Sequence, residues 1–195
     1  MVRSAWSWVV VVLALAGCPK RTDTVTDAGP PKGHPDLQCP AGTAPEGYGP
    51  PTGRSAWCVL ALPSGQRVKE GPALEWHDNG ARAVDGAWSN DKMSGEWVRY
   101  YPTGTPEFRG SYVNGKKDGV WTTYTATGEK AAEGPFVDGA EHGAWTFWTV
   151  ETLTRTEGNY VLGARDGRWL DYSPEGKPVR ERIYRDGRLI TQREL

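Results

Sequence analysis

The sequence predicts an all-β chain built as one elongated, single-layer sheet. Three observations point there. Hydrophobic content is only 37 % of 195 residues, yet Trp (10) and Gly (25) are both abundant. Short strands with aromatic anchors and tight turns have that composition; helical chains rarely do. From Gly71 onward the sequence repeats every 24 residues. Turn signals recur within the units, as at Pro102-Thr103-Gly104 and at Asn114-Gly115, the latter of the kind that favours hairpins. A total of 10 Trp, 8 Tyr and 3 Phe is too aromatic for a disordered chain. The formal charge of −1 excludes the broad basic footprint of a nucleic-acid binder.

The first element is an export signal. Residues 1–17 hold one positive charge, Arg3, and an apolar run from Val9 to Ala16. That run is too short for a bilayer span of about 20 residues, and it ends in small residues as a secretory signal does. Leu15-Ala16-Gly17-Cys18 resembles the bacterial lipobox. The resemblance implies cleavage before Cys18, a diacylglycerol on its sulfur and acylation of the new N-terminus. Two or three acyl chains hold a protein on a membrane firmly. Pro19 and Lys20 follow the cysteine rather than Asp. By resemblance to Gram-negative sorting, this implies the outer membrane, with the chain facing the periplasm or the cell surface.

Residues 18–37 are rich in Pro, Gly, Thr and charge, and read as a tether from lipid to domain. Residues 38–70 read as a small cap, with Ala56 to Leu62 turning at Pro63-Ser64-Gly65. Cys39 and Cys58 are an even pair in an oxidising compartment, and one disulfide between them is expected. Such a loop is worth about 3 kcal/mol in the chain-entropy account.

Five units follow without insertion or deletion: 71–94, 95–118, 119–142, 143–166 and 167–190; residues 191–195 remain as a tail. The third column holds Trp97, Trp121, Trp145 and Trp169, with Ala73 in the first unit. The sixth holds Trp76, Tyr100, Tyr124, Trp148 and Tyr172, and the eighteenth Trp88, Tyr112, Phe136, Tyr160 and Tyr184. Glycine recurs in the tenth, sixteenth and twenty-first columns, as at Gly104, Gly110 and Gly115. Each unit reads as a hairpin, with strands such as Glu96–Tyr101 and Thr105–Val113 around Pro102-Thr103-Gly104. Thr152 and Asp91 stand where other units have glycine, which leaves those two turn types open.

The pattern of glycines and aromatics over 71–190 resembles the MORN repeat variant of bacterial proteins in the YwqK-like group, some labelled antitoxin-like. The resemblance implies a ladder of consecutive hairpins. Arg182 in place of glycine, and Leu189-Ile190 in place of a polar ending, mark an atypical last unit, as terminal repeats are.

Chemistry has little to attach to. No nucleophile elbow, zinc-protease helix, phosphate loop or dinucleotide fingerprint occurs, so no enzyme, cofactor or metal is expected. His34, His77 and His142 lack ligand spacing to the cysteines. The fifteenth column (Asp85, Arg109, Glu133, Glu157, Glu181) puts carboxylates about 10 Å apart, too far to share a cation. The aromatic columns are either core or a gripping surface. Columns three and six have opposite parity, so both faces carry rings unless a bulge realigns them. Grouping columns 6, 16 and 18 as the packed face leaves Trp97, Trp121, Trp145 and Trp169 as the candidate binding row. The expected function is a lipid-anchored, non-catalytic module for protein–protein interaction at the cell envelope. The alternative is peptidoglycan or polysaccharide binding through the exposed row. Low net charge speaks against a repeat that itself lies on lipid.

Overall fold

A computed structural model describes residues 31–195. The expected signal peptide, Cys18 and the first part of the expected tether lie outside the described residues. The described residues are all-β, in a single antiparallel sheet. Strands β1 (Thr43–Tyr48) and β2 (Ser55–Ala61) lead into hairpins β3 (Arg67–Trp76)/β4 (Arg82–Ser89), β5 (Lys92–Tyr100)/β6 (Pro106–Val113) and β7 (Lys116–Tyr124)/β8 (Lys130–Val137). The short β9 (Ala140–Glu141) pairs with β8 and precedes β10 (Gly143–Thr149)/β11 (Thr154–Val161). β12 (Ala164–Tyr172)/β13 (Pro178–Arg185) and β14 (Arg188–Glu194) complete the sheet. Every strand lies beside its sequence neighbour, apart from β9. At about 4.8 Å per strand the ladder is roughly 60 Å long.

The repeat boundaries differ from the structural ones. β3 runs through residue 71 without a break, so cap and repeats share one sheet. In four of the five units the first strand starts before the unit does, as β5 does at Lys92, while β10 starts with its unit at Gly143. Residues 191–194, read as a tail, belong to β14 and pair with β13 from Ile183 to Arg180. The end of the tether is docked: Leu37 is buried against Ala56, Cys58, Leu74 and Trp76.

Turn chemistry explains the regularity. Asn114 (φ 53°) and Gly115 (φ 81°) both lie in the left-handed region, as a two-residue type I′ hairpin requires. Asn90-Asp91, Asp138-Gly139 and Asp186-Gly187 do the same, so Asp91 keeps the turn without glycine. The Thr152 site differs. A 3-10 turn forms over Val150–Thr152, and Leu153 takes the left-handed position at φ 52°. In the remaining tight turn Leu162 sits at φ 48° beside Gly163. A left-handed leucine costs about 1–2 kcal/mol, and this one is 72 % exposed. Leu162→Asn is therefore expected to stabilise the fold by about 1 kcal/mol, read as a higher urea midpoint with unchanged m.

Cys39 and Cys58 are joined as expected, with Cα atoms 5.5 Å apart. Cys58 is fully buried beneath the segment that carries Cys39. Wild-type protein should show a gel-mobility change on reduction that Cys39→Ser abolishes. Two freely alkylated thiols in unreduced protein would contradict the bridge.

Candidate functional site

The two faces of the sheet differ in kind. Within a hairpin the register pairs Gly95 with Tyr112, Trp97 with Gly110, and Arg99 with Phe108. Cross-strand partners share a face, so the third, sixteenth and eighteenth columns lie together. Between units the register shifts at Arg109/Ser111, which leaves Gly119, Val120 and Trp121 opposite Gly110 alone. Trp121 thereby lies flat on the Gly110 backbone, where a Cβ would overlap its indole. Trp97 on Gly86, Trp145 on Gly134 and Trp169 on Gly158 repeat the arrangement.

The eighteenth-column rings fill the spaces between these indoles. Trp88, Trp97, Tyr112, Trp121, Phe136, Trp145, Tyr160, Trp169 and Tyr184 form one edge-to-face ladder, with successive centroids 5.0–6.1 Å apart. Each third-column indole N–H donates to a backbone carbonyl, as Trp121 does to Ser111 O at 3.1 Å. Long side chains close the top. The Lys117 ammonium lies 4.3 Å from the Trp121 ring, and the Arg165 guanidinium 4.4 Å from Trp169. Desolvation pushes the Lys117 pKa down, with Glu141 opposing, and burial pushes Tyr112 up.

The proposed binding row is therefore core. Trp97, Trp121, Trp145 and Trp169 are 8, 2, 7 and 0 % exposed. The expectation of an exposed row fails on parity. Beside the turn Tyr100 pairs with Pro106, columns six and twelve; a register shift between Arg99 and Tyr100 then makes paired columns sum to 19, so odd columns of the first strand share a face with even columns of the second. The sixth column is the one that points away.

That open face carries Tyr100, Tyr124, Trp148 and Tyr172, all half-buried. Beside them runs the fifteenth column. Tyr100 Oη donates to Asp85 at 3.0 Å, and burial followed by this carboxylate raises the Tyr100 pKa. Arg109 pairs with Glu96, Lys130 with Glu133, and Arg155 with Glu157. Arg168 and Arg193 both bind Glu181. Hydrogen bonds from Lys130 hold the Glu133 pKa below the usual carboxylate range, and those from Arg168 and Arg193 do so for Glu181. Each charged side chain of this stripe is thus held by an opposite charge or a phenol. Among the described residues no group of three His, Cys, Asp or Glu is placed to hold a metal.

Residues 93–114 match the MORN repeat variant. The match covers most of the second unit, including nearly all of its hairpin. The matched stretch contains Trp97, Tyr100, Gly104, Gly110 and Tyr112, the columns that build the ladder and the open-face row. No curated protein matches the chain.

At the first unit the open face is covered. The His34 ring lies 4.6 Å from Trp76, and Asp36 accepts a hydrogen bond from Arg82 at 2.8 Å. Pro, Gly and charge make residues 31–37 look like a linker. The available signal was Leu37, the one large aliphatic there, two residues from a cysteine expected to be bridged.

Proposed function

We propose that the protein is a lipid-anchored, non-catalytic interaction module of the cell envelope that presents the open face of its sheet to a protein partner. The carrying observation is the asymmetry of the faces. One is sealed by the aromatic ladder, while the other repeats a half-buried ring beside an ion pair in successive units. Repeat arrays of this kind offer a long surface to a partner, and their units contribute approximately additively to stability. Anchoring rests on Leu15-Ala16-Gly17-Cys18, and export is supported by the Cys39–Cys58 bridge. Pro19-Lys20 favours the outer membrane. Export fits poorly with the antitoxin label of some YwqK-like relatives. The glycan alternative loses the third-column row on which it was placed, because Trp97, Trp121, Trp145 and Trp169 are buried.

Cys18→Ser is expected to abolish palmitate incorporation and to leave an uncleaved or soluble precursor. The measurement is metabolic labelling with membrane fractionation. Equal labelling of mutant and wild type would remove the anchor from this reading.

A further inference from the structure

The first unit shows how a peptide lies on the open face. Gly33 pairs with the chain at Tyr48, its N–H donating to Gly47 O at 2.9 Å. From there His34-Pro35-Asp36-Leu37 crosses the face over Trp76. Three contacts hold it. The His34 ring packs on the indole, Leu37 drops into the cluster with Leu74 and Trp76, and Asp36 binds Arg82. Arg82 also lies over Trp76 at 5.0 Å and keeps its own acidic neighbour, Asp85, at 3.4 Å. This cation therefore serves two carboxylates, one from the sheet and one from the crossing segment.

The same elements recur further along, without the crossing segment. Tyr100, Tyr124, Trp148 and Tyr172 occupy the Trp76 column, and Val98, Thr122, Thr146 and Leu170 the Leu74 column. Lys130 lies 5.9 Å from the Trp148 ring and Arg155 3.9 Å from the Tyr172 ring. Each holds its own sheet carboxylate, Glu133 and Glu157, as Arg82 holds Asp85. Among the described residues neither has a second carboxylate, though ammonium and guanidinium have donors to spare. Beside Trp148 a groove lined by Lys130, Val150 and Leu153 is apolar enough to take an aliphatic side chain; Glu129 also lines it, its carboxylate accepting hydrogen bonds from the Thr125 and Thr127 hydroxyls.

We propose that the open face binds an extended, proline-containing peptide of a partner protein, with a carboxylate beside an apolar side chain, along the Tyr124–Trp148–Tyr172 stretch. Its mode of docking repeats that of His34–Leu37 on Trp76. An apolar side chain enters the groove at Trp148, and a neighbouring carboxylate meets Lys130 or Arg155. Proline keeps the peptide extended and lowers the entropy lost on ordering. This rests on the interaction reading above and specifies the partner's chemistry.

The probe is a synthetic peptide with the sequence of residues 31–40, serine replacing Cys39, and a benzophenone at its N-terminus. It is titrated against the full chain in detergent, and adducts are mapped by mass spectrometry. Saturable crosslinking to the strands that carry Lys130 and Trp148 is expected. Trp148→Ala should weaken binding roughly tenfold or more, the scale of an aromatic hot spot. Lys130→Glu, at an exposed position that leaves the fold intact, should weaken it several-fold, as should Asn for Asp in the peptide. Lys117→Ala, on the opposite face, should change nothing. Absence of open-face adducts, or adducts indifferent to both Trp148→Ala and Lys130→Glu, overturns the proposal. A photo-reactive residue at exposed Val120 on the open face separates the two levels in cells. Protein captured there, with the peptide inert, rejects this peptide chemistry and keeps the interaction reading. Capture from neither source rejects both.

Discussion

Trp121→Ala is expected to destabilise the protein by about 3–5 kcal/mol, the range for removing a large aromatic from a core. The indole is 2 % exposed, lies on the Gly110 backbone, and touches Tyr112 and Phe136 edge-on at centroid distances of 5.0 and 6.0 Å. A single-layer sheet has no second layer to collapse into the hole, so relaxation recovers little. Two further losses add to the transfer free energy. Ser111 O loses its indole donor, and Lys117 loses the ring beneath its ammonium. Domains of this size hold about 5–15 kcal/mol in total, so the urea midpoint should fall by a large fraction. Trp121→Phe should cost less, since it keeps a ring on the ladder and gives up only part of the area and the Ser111 bond. A change below about 1 kcal/mol for the alanine variant would mean that the ring is exposed in solution.

The ladder was legible in the sequence as columns, and the faces were not. Glycines and aromatics recur at a fixed period because each unit must lay a ring on a bare backbone, so the demand is written at every repeat. Which columns share a face depends on a one-residue register shift beside the turn, between Arg99 and Tyr100 in the second unit. It changes the total of paired columns from even to odd. Trp97 opposite Gly110 gives an odd total, and counting parity straight through the turn assigns the row to the wrong side. The crossing segment was hidden for a different reason. Gly33, Pro35 and Asp36 carry no periodicity, and their docking depends on a remote cysteine, one buried leucine and one ion pair. The turn at Thr152 was legible as an exception, but Leu153 was not, because leucine in the left-handed region contradicts its own preference.

Gly134→Ala is expected to cost about 3 kcal/mol, at the upper end of overpacking, and to change sign when Trp145 is removed. Gly134 has an ordinary strand backbone, so alanine meets no conformational penalty there. Its Cβ would stand inside the Trp145 indole, and that ring has nowhere to go. The Trp145 N–H is fixed to Pro135 O at 3.1 Å, and Phe136, Phe147 and Tyr160 pack around it at centroid distances of 5.3–5.9 Å. In a Trp145→Ala background the same methyl group fills part of the hole. It also relieves the entropic cost of glycine in a strand, about 0.5–1 kcal/mol. Gly134→Ala should then be neutral or stabilising, and the double-mutant cycle should show strong coupling between the two sites. Gly104 supplies the control: a Cβ there meets nothing within 4 Å, but φ is +87°. Gly104→Ala should cost about 1–2 kcal/mol from backbone strain in either background, with no coupling to Trp145. Equal costs for Gly134→Ala with and without Trp145 would show that close approach of ring and backbone is not why glycine stands in the sixteenth column.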